Sequence, residues 1–110
     1  MNKLKLIELV KELQDYHHAF LKPEGVEHFL NPFGLKPMVQ KAKATPQEIK
    51  GLSLYDDKGN PLDEAEGQSG LSISSQIAYH YGLSVPGFHG RGSQHQANCE
   101  AILTYLEKQN

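Results

Sequence analysis

Apolar residues recur at spacings of three and four through the first twenty positions. Leu6, Leu9, Val10, Leu13, Tyr16, His17 and Phe20 alternate there with Lys5, Glu8, Lys11, Glu12 and Asp15. One stripe of a 3.6-residue helix has this spacing, so the pattern predicts a helix over 3–21 with a continuous buried face. Lys22-Pro23 ends it, because a residue before proline is driven out of helical torsions. A short helix over 23–30 follows, with Val26, Phe29 and Leu30 on one side. Asn31-Pro32-Phe33-Gly34 reads as a type I turn, in which proline presets the first central torsion.

The middle of the chain is less periodic. Residues 35–44 give no decision between helix and strand, since Pro37 suits the opening of either and Met38-Val39 is too short a run. Thr45-Pro46-Gln47-Glu48 has the form of a capping box and predicts one or two helical turns ending at Gly51. Leu52-Ser53-Leu54-Tyr55 alternates and runs into the turn-rich Asp56–Pro61, which predicts a short strand pair near 52–62. The acidic, glycine-bearing stretch 63–70 has almost no large apolar residue and is expected to be an exposed, mobile loop.

Two more helices close the chain. Ile73, Ile77 and Tyr81 step by four, serines at 72, 74 and 75 offer caps, and Gly82 suits a left-handed stop, giving a helix over 74–81. Ser93-Gln94-His95-Gln96 is a second capping-box pattern and opens a helix over 94–107, with Cys99, Ile102, Leu103 and Leu106 as its buried stripe. The fold class expected is α+β and mainly helical, about four helices around one core with the short strand pair near 52–62. At 110 residues the whole chain is expected to be a single globular domain, because two separate cores would each be marginal.

Composition narrows the partners. With 38% hydrophobic and 22% charged residues and a net charge of only -2, the chain has enough apolar surface to fold and too little net charge to coat nucleic acid or an anionic membrane. Nucleic acid and membrane are therefore not expected partners. The lone cysteine, Cys99, cannot form an intrachain disulfide, which excludes a stapled secreted scaffold and makes the cytoplasm the expected compartment. A leader peptide would need an unbroken apolar run where Glu8, Lys11, Glu12 and Asp15 stand, and no stretch is apolar enough to span a bilayer.

The most distinctive stretch is Gly87-Phe88-His89-Gly90-Arg91-Gly92-Ser93, which runs into the last helix. Small residues let a backbone approach a ligand closely, Arg91 pairs bidentately with phosphate or carboxylate, and a helix N-terminus favours negative charge. Gly87, His89, Gly90, Arg91, Gly92 and Ser93 are thus the candidate ligand contacts, and an anionic small molecule or a partner protein the expected ligand. The glycine spacing is that of a P-loop, but the lysine before the final hydroxyl is missing and Pro86 stops the strand a P-loop requires, so a nucleotide triphosphatase is not expected. The competing reading is a plain connector whose glycines satisfy tight torsions. The function expected is a small, non-catalytic intracellular binding or regulatory protein with no cofactor.

Two alternatives stand beside it. Cys99 lies four residues after His95, so the two share a helix face, and a small enzyme would use Cys99 as nucleophile with His95 or His89 as its base. The same pair is half of a zinc site, with His89 or His80 approaching from elsewhere, but no second ligand pair has metal spacing and no metal is expected. The other alternative is a DNA-binding regulator with a degenerate helix-turn-helix over 74–92, weakened by the helix breakers between Val85 and Gly92. Asp56–Asn60 resembles a calcium loop only in part, since Gly67 and not a glutamate occupies the twelfth position. His17-His18, near the end of the first helix, suit the negative end of its dipole.

Overall fold

The structure, a computed structural model, describes residues 3–17, 20–38, 40–42, 65–83, 85 and 93–109. The expected strand pair near 52–62, the capping box at 45–48 and the turn at 56–61 lie outside these residues. Within them the chain is mainly helical α+β. The order is α1 (Lys3–Leu13), a 3-10 turn (Gln14–Tyr16), β1 (Phe20–Leu21), α2 (Pro23–Leu30), a second 3-10 turn (Asn31–Phe33), β2 (Gln40–Ala42), β3 (Ala65–Ser69), α3 (Gly70–His80) and α4 (Gln94–Glu107).

Helical periodicity translates directly into the core. Leu9, Val10 and Leu13 of α1, Val26, Phe29 and Leu30 of α2, Ile73, Ile77 and Ala78 of α3, and Cys99, Ile102 and Leu106 of α4 form one buried cluster. Their burial is the dominant stabilising term. Pro23 sits in the first turn of α2, where its missing amide costs nothing. Gly34 closes the second 3-10 turn at φ 76°, a left-handed torsion that glycine adopts without strain. Gly82, at φ 66°, ends α3 in a Schellman motif: its amide donates to Tyr79 O at 2.9 Å and the Leu83 amide to Ala78 O at 3.0 Å.

Three expectations are corrected. The first helix does not run to residue 21: it tightens into a 3-10 turn after Leu13, and Phe20–Leu21 is a strand. The Leu13 carbonyl accepts a hydrogen bond from His95 Nε2 at 2.9 Å, so this end of α1 is satisfied from across the core. Of the stretch 63–70, the described residues 65–70 are not an exposed loop, because Ala65–Ser69 is the central strand of a three-stranded antiparallel sheet ordered β1-β3-β2. Phe20 pairs with Ser69 and Leu21 with Gln68 on one side, and Gln40 pairs with Gly67, Lys41 with Glu66 and Ala42 with Ala65 on the other. A β-carbon at Gly67 would overlap the Leu21 carbonyl oxygen, so this glycine permits the close approach of β1 and β3, and one at Gly70 would overlap the Tyr16 carbonyl oxygen, so Gly70 lets the start of α3 pack against the 3-10 turn. Finally, α3 begins at Gly70, four residues before the expected start, because Ser69 is its cap: Ser69 Oγ accepts from the Ser72 amide at 3.1 Å.

Gln68 fastens this sheet to the helices. It is fully buried, its Oε1 accepts from the Met38 amide at 2.6 Å, and its Nε2 donates to Ser72 Oγ at 3.0 Å and Gln76 Oε1 at 3.1 Å. Gln76 Nε2 in turn donates to Lys36 O at 2.8 Å, so the extended segment 35–38 is held to α3.

Candidate functional site

Ser93, His95 and Cys99 stand on α4 where its N-terminal end packs against the end of α1 and the first turns of α3. Ser93 caps α4: its Oγ accepts from the Gln96 amide at 3.0 Å, as the sequence pattern predicts. The reciprocal half of the box is replaced, since Gln96 Nε2 points along the helix to Glu100 Oε1 at 3.5 Å.

Two residues inside the cap stands His95, 1% exposed. Its Nε2 lies 2.9 Å from Leu13 O, and since a carbonyl only accepts, Nε2 carries a proton. Its Nδ1 lies 2.9 Å from Ser74 Oγ. Ser74 is itself buried and its hydroxyl also reaches Leu71 O at 3.1 Å, while Asn98 Nδ2 donates to Ser74 Oγ at 3.2 Å and to Ser75 Oγ at 3.0 Å. Gln94 Nε2 completes the chain by donating to Asn98 Oδ1 at 3.2 Å. His95 thereby ties the last carbonyl of α1 to α3 through a network in which no buried side-chain polar atom among the described residues lacks a partner.

The structure brings Cys99 and His95 together, with Sγ 3.8 Å from Nε2. The pair is not poised for nucleophilic work. Cys99 is fully buried, and burial, with a smaller contribution from the charge of Glu100, pushes its thiol from 9.0 up to about 12. The ring nitrogen facing the sulfur holds the proton that bonds Leu13 O, so it has no lone pair to receive a proton from the thiol. His80, the other proposed metal ligand on a described element, is exposed at the far end of α3 from Ser74. Among the described residues no three side chains of metal-binding type gather.

A cleft of about 310 Å³ opens beside this network, lined by Gln14, His17, Ser93, His95 and Gln96. The His17 ring is stacked on that of His95, with centroids 5.4 Å apart and planes 2° from parallel. His17 therefore belongs to the α1–α4 junction and not merely to a helix end; His18 lies outside the described residues. So do Gly87, His89, Gly90, Arg91 and Gly92, and of the candidate anion loop only Ser93 is described. The helix-turn-helix reading is described only in its first half: α3 packs through Ile73, Ile77 and Ala78, and Tyr79 is 87% exposed at its end. A second groove, about 440 Å³, runs along α4 between Ala97, Ala101 and Tyr105 on one side and Leu83 and Val85 on the other.

Sequence reasoning missed Ser74, Asn98 and Gln14. Nothing local marks Ser74 as a partner of His95, which is 21 residues away. The available signal was the small pair Ser74 and Ala78, one turn apart on the buried side of α3, where a neighbouring helix approaches closely. No helix among the described residues is long and apolar enough to cross a membrane. No family model matches the chain, and no curated protein and no solved structure matches it either.

Proposed function

We propose that the protein is a small, non-catalytic cytoplasmic binding or regulatory domain, and that its ligand-facing edge is the N-terminal end of α4. The observation that carries this reading is the cleft between the end of α1 and the capped start of α4, lined by Gln14, His17, Ser93 and Gln96, whose Ser93 directly follows the glycine-rich stretch 87–92 in the sequence. Amide and hydroxyl groups there hydrogen-bond an anion, and the amide dipoles of a fourteen-residue helix add favourable potential. Arg91 is the charge on which affinity would rest, with Gly90 and Gly92 giving the backbone room to approach. The burial of Cys99 and its thiol near 12 speak for binding over cysteine catalysis.

Calorimetric titration with inorganic phosphate, a nucleoside monophosphate and a sugar phosphate tests the reading. Arg91→Lys keeps the charge but loses the planar fork and should weaken binding, Arg91→Ala should weaken it further, and Gly92→Val should block backbone approach at constant charge. Affinity unaltered by all three would make the stretch 87–92 a connector, and absence of binding by the wild type would remove the proposal.

A further inference from the structure

The groove of about 440 Å³ along α4 differs from the cleft at the start of that helix in what lines it. Its walls are mostly apolar: Ala97, Ala101 and Tyr105 of α4 face Leu83 and Val85 of the segment that follows α3, and all five are half-buried. Thr104 is exposed on the same wall, with Glu100 before it and Lys108 after it, both exposed. We propose that this groove is the face through which two copies of the chain pair, their α4 helices running antiparallel about a two-fold axis at Thr104.

The charges of the groove commit it to this occupant. Glu100 and Lys108 each lie four residues from Thr104, so they stand about 6 Å along the helix on either side of it. A two-fold axis across α4 at Thr104 brings Glu100 of one copy level with Lys108 of the second, and symmetry repeats the match on the other side. Parallel pairing would set carboxylate beside carboxylate and ammonium beside ammonium. The groove is thus complementary to itself in one direction only. Within the chain neither side chain joins an ion pair among the described residues, and the contact of Glu100 is the neutral amide of Gln96 at 3.5 Å.

Shape points the same way. Ala97, Ala101, Thr104 and Lys108 follow one another at spacings of four, three and four, the repeat of a seam between paired helices, and the first three are small enough for a second helix to approach closely. Cys99, Ile102 and Leu106 occupy the buried side of α4, so pairing leaves the core as it stands. The attraction comes from closing Leu83, Val85 and Tyr105 against the second copy, whereas exposed charge pairs add little affinity and fix the direction.

Sedimentation equilibrium of the full chain from about 10 μM to about 1 mM tests the pairing, and the average mass should rise with concentration from monomer toward dimer. Glu100→Lys and Lys108→Glu each place like charges at both symmetric contacts, and each should raise the dimer Kd by about tenfold or more. The two reversals change net charge in opposite directions, so a loss shared by both is not an effect of net charge. The double variant Glu100→Lys/Lys108→Glu re-creates the match with the signs exchanged and should return the Kd to within about threefold of the wild type. Both positions are exposed, so thermal melts of the three variants should overlay at concentrations where the chain is monomeric. A monomer at every concentration, as a groove for a different protein would give, a dimer that the single reversals leave unchanged, or a double variant as weak as the singles would each overturn the pairing.

Discussion

Two buried polar clusters hold this molecule together, and they differ in what lies beside them. On the sheet side, Gln68 joins β3 to α3 and to the segment 35–38 using an amide that neither gains nor loses a proton. At the α1–α4 junction, His95 makes the corresponding joint between Leu13, Ser74 and Cys99 with a ring stacked on that of His17, beside a cleft. Both are fully satisfied, so neither is a defect in the core. The glutamine joint has no cleft beside it among the described residues, and the histidine joint is the one at which binding is proposed.

The sheet side should be the more brittle. Gly67→Ala places a β-carbon against the Leu21 carbonyl oxygen, and because the obstacle is paired backbone the strands must separate. The expected loss is about 4 kcal/mol or more, in the range that marks strain at a special backbone position. Urea denaturation would read it, and a loss under about 1 kcal/mol would show that β1 and β3 are not so closely apposed.

Removing each joint sharpens the comparison. His95→Ala leaves Leu13 O unpaired and opens a void among three helices, for a loss of roughly 2–4 kcal/mol. Gln68→Leu fills its volume but strands the Met38 amide, for roughly 1–3 kcal/mol. Denaturant midpoints for the two at pH 7.5 give the order. The reverse order would make the glutamine network the stronger joint.

Alkaline pH separates the two sides by another route. The thiol of Cys99, at the junction, is raised from 9.0 to about 12, so the unfolded chain releases that proton first. The stability it contributes is complete below pH 9.0 and falls by about 1.4 kcal/mol per pH unit until the folded thiol ionises near 12. Tyr16, raised by burial and by the charges of Glu12 and Asp15, and Tyr81, raised by burial and by Tyr105, act in the same direction above pH 10.0. Thermal melts from pH 8 to pH 11 should show the decline, and Cys99→Ala should delay its onset by about one unit. An unchanged onset would mean that the thiol is not the first group to titrate.

The smallest effect concerns the mouth of the cleft. Ser93→Ala should cost about 1 kcal/mol by removing the acceptor of the Gln96 amide, and Ser93→Gly only a few tenths. Equal losses in thermal melts would mean that the hydroxyl is not the cap.

Which of these features the chain announces follows from the range of the interaction. The helices α2 and α4, the cap at Ser93 and the left-handed stop at Gly82 are visible because each depends on residues within a turn or two. The strand β3 is hidden because its stability comes from distant partners: Gly67 is needed for Leu21, and Gln68 is satisfied by Met38, Ser72 and Gln76. The end of α1 is hidden for the same reason, since the apolar spacing continues through Tyr16 and Phe20 while Leu13 O is taken by a residue 82 positions away. At the site, the pairing of His95 with Cys99 was legible as a four-residue spacing on one helix. Its inertness was not, because that depends on Leu13 and Ser74. The role of Gly87 to Gly92 rests on composition alone.

The central claim, that the α1–α4 junction is the binding side and the Gln68 side is scaffold, is tested most directly by following backbone amide resonances during a titration with inorganic phosphate. The account predicts shifts at Gln14, His17, Ser93, Gln94 and Gln96 and along 87–92, with residues 35–38 and 65–69 unmoved. Shifts centred on the Gln68 side, or none anywhere at millimolar phosphate, would contradict it.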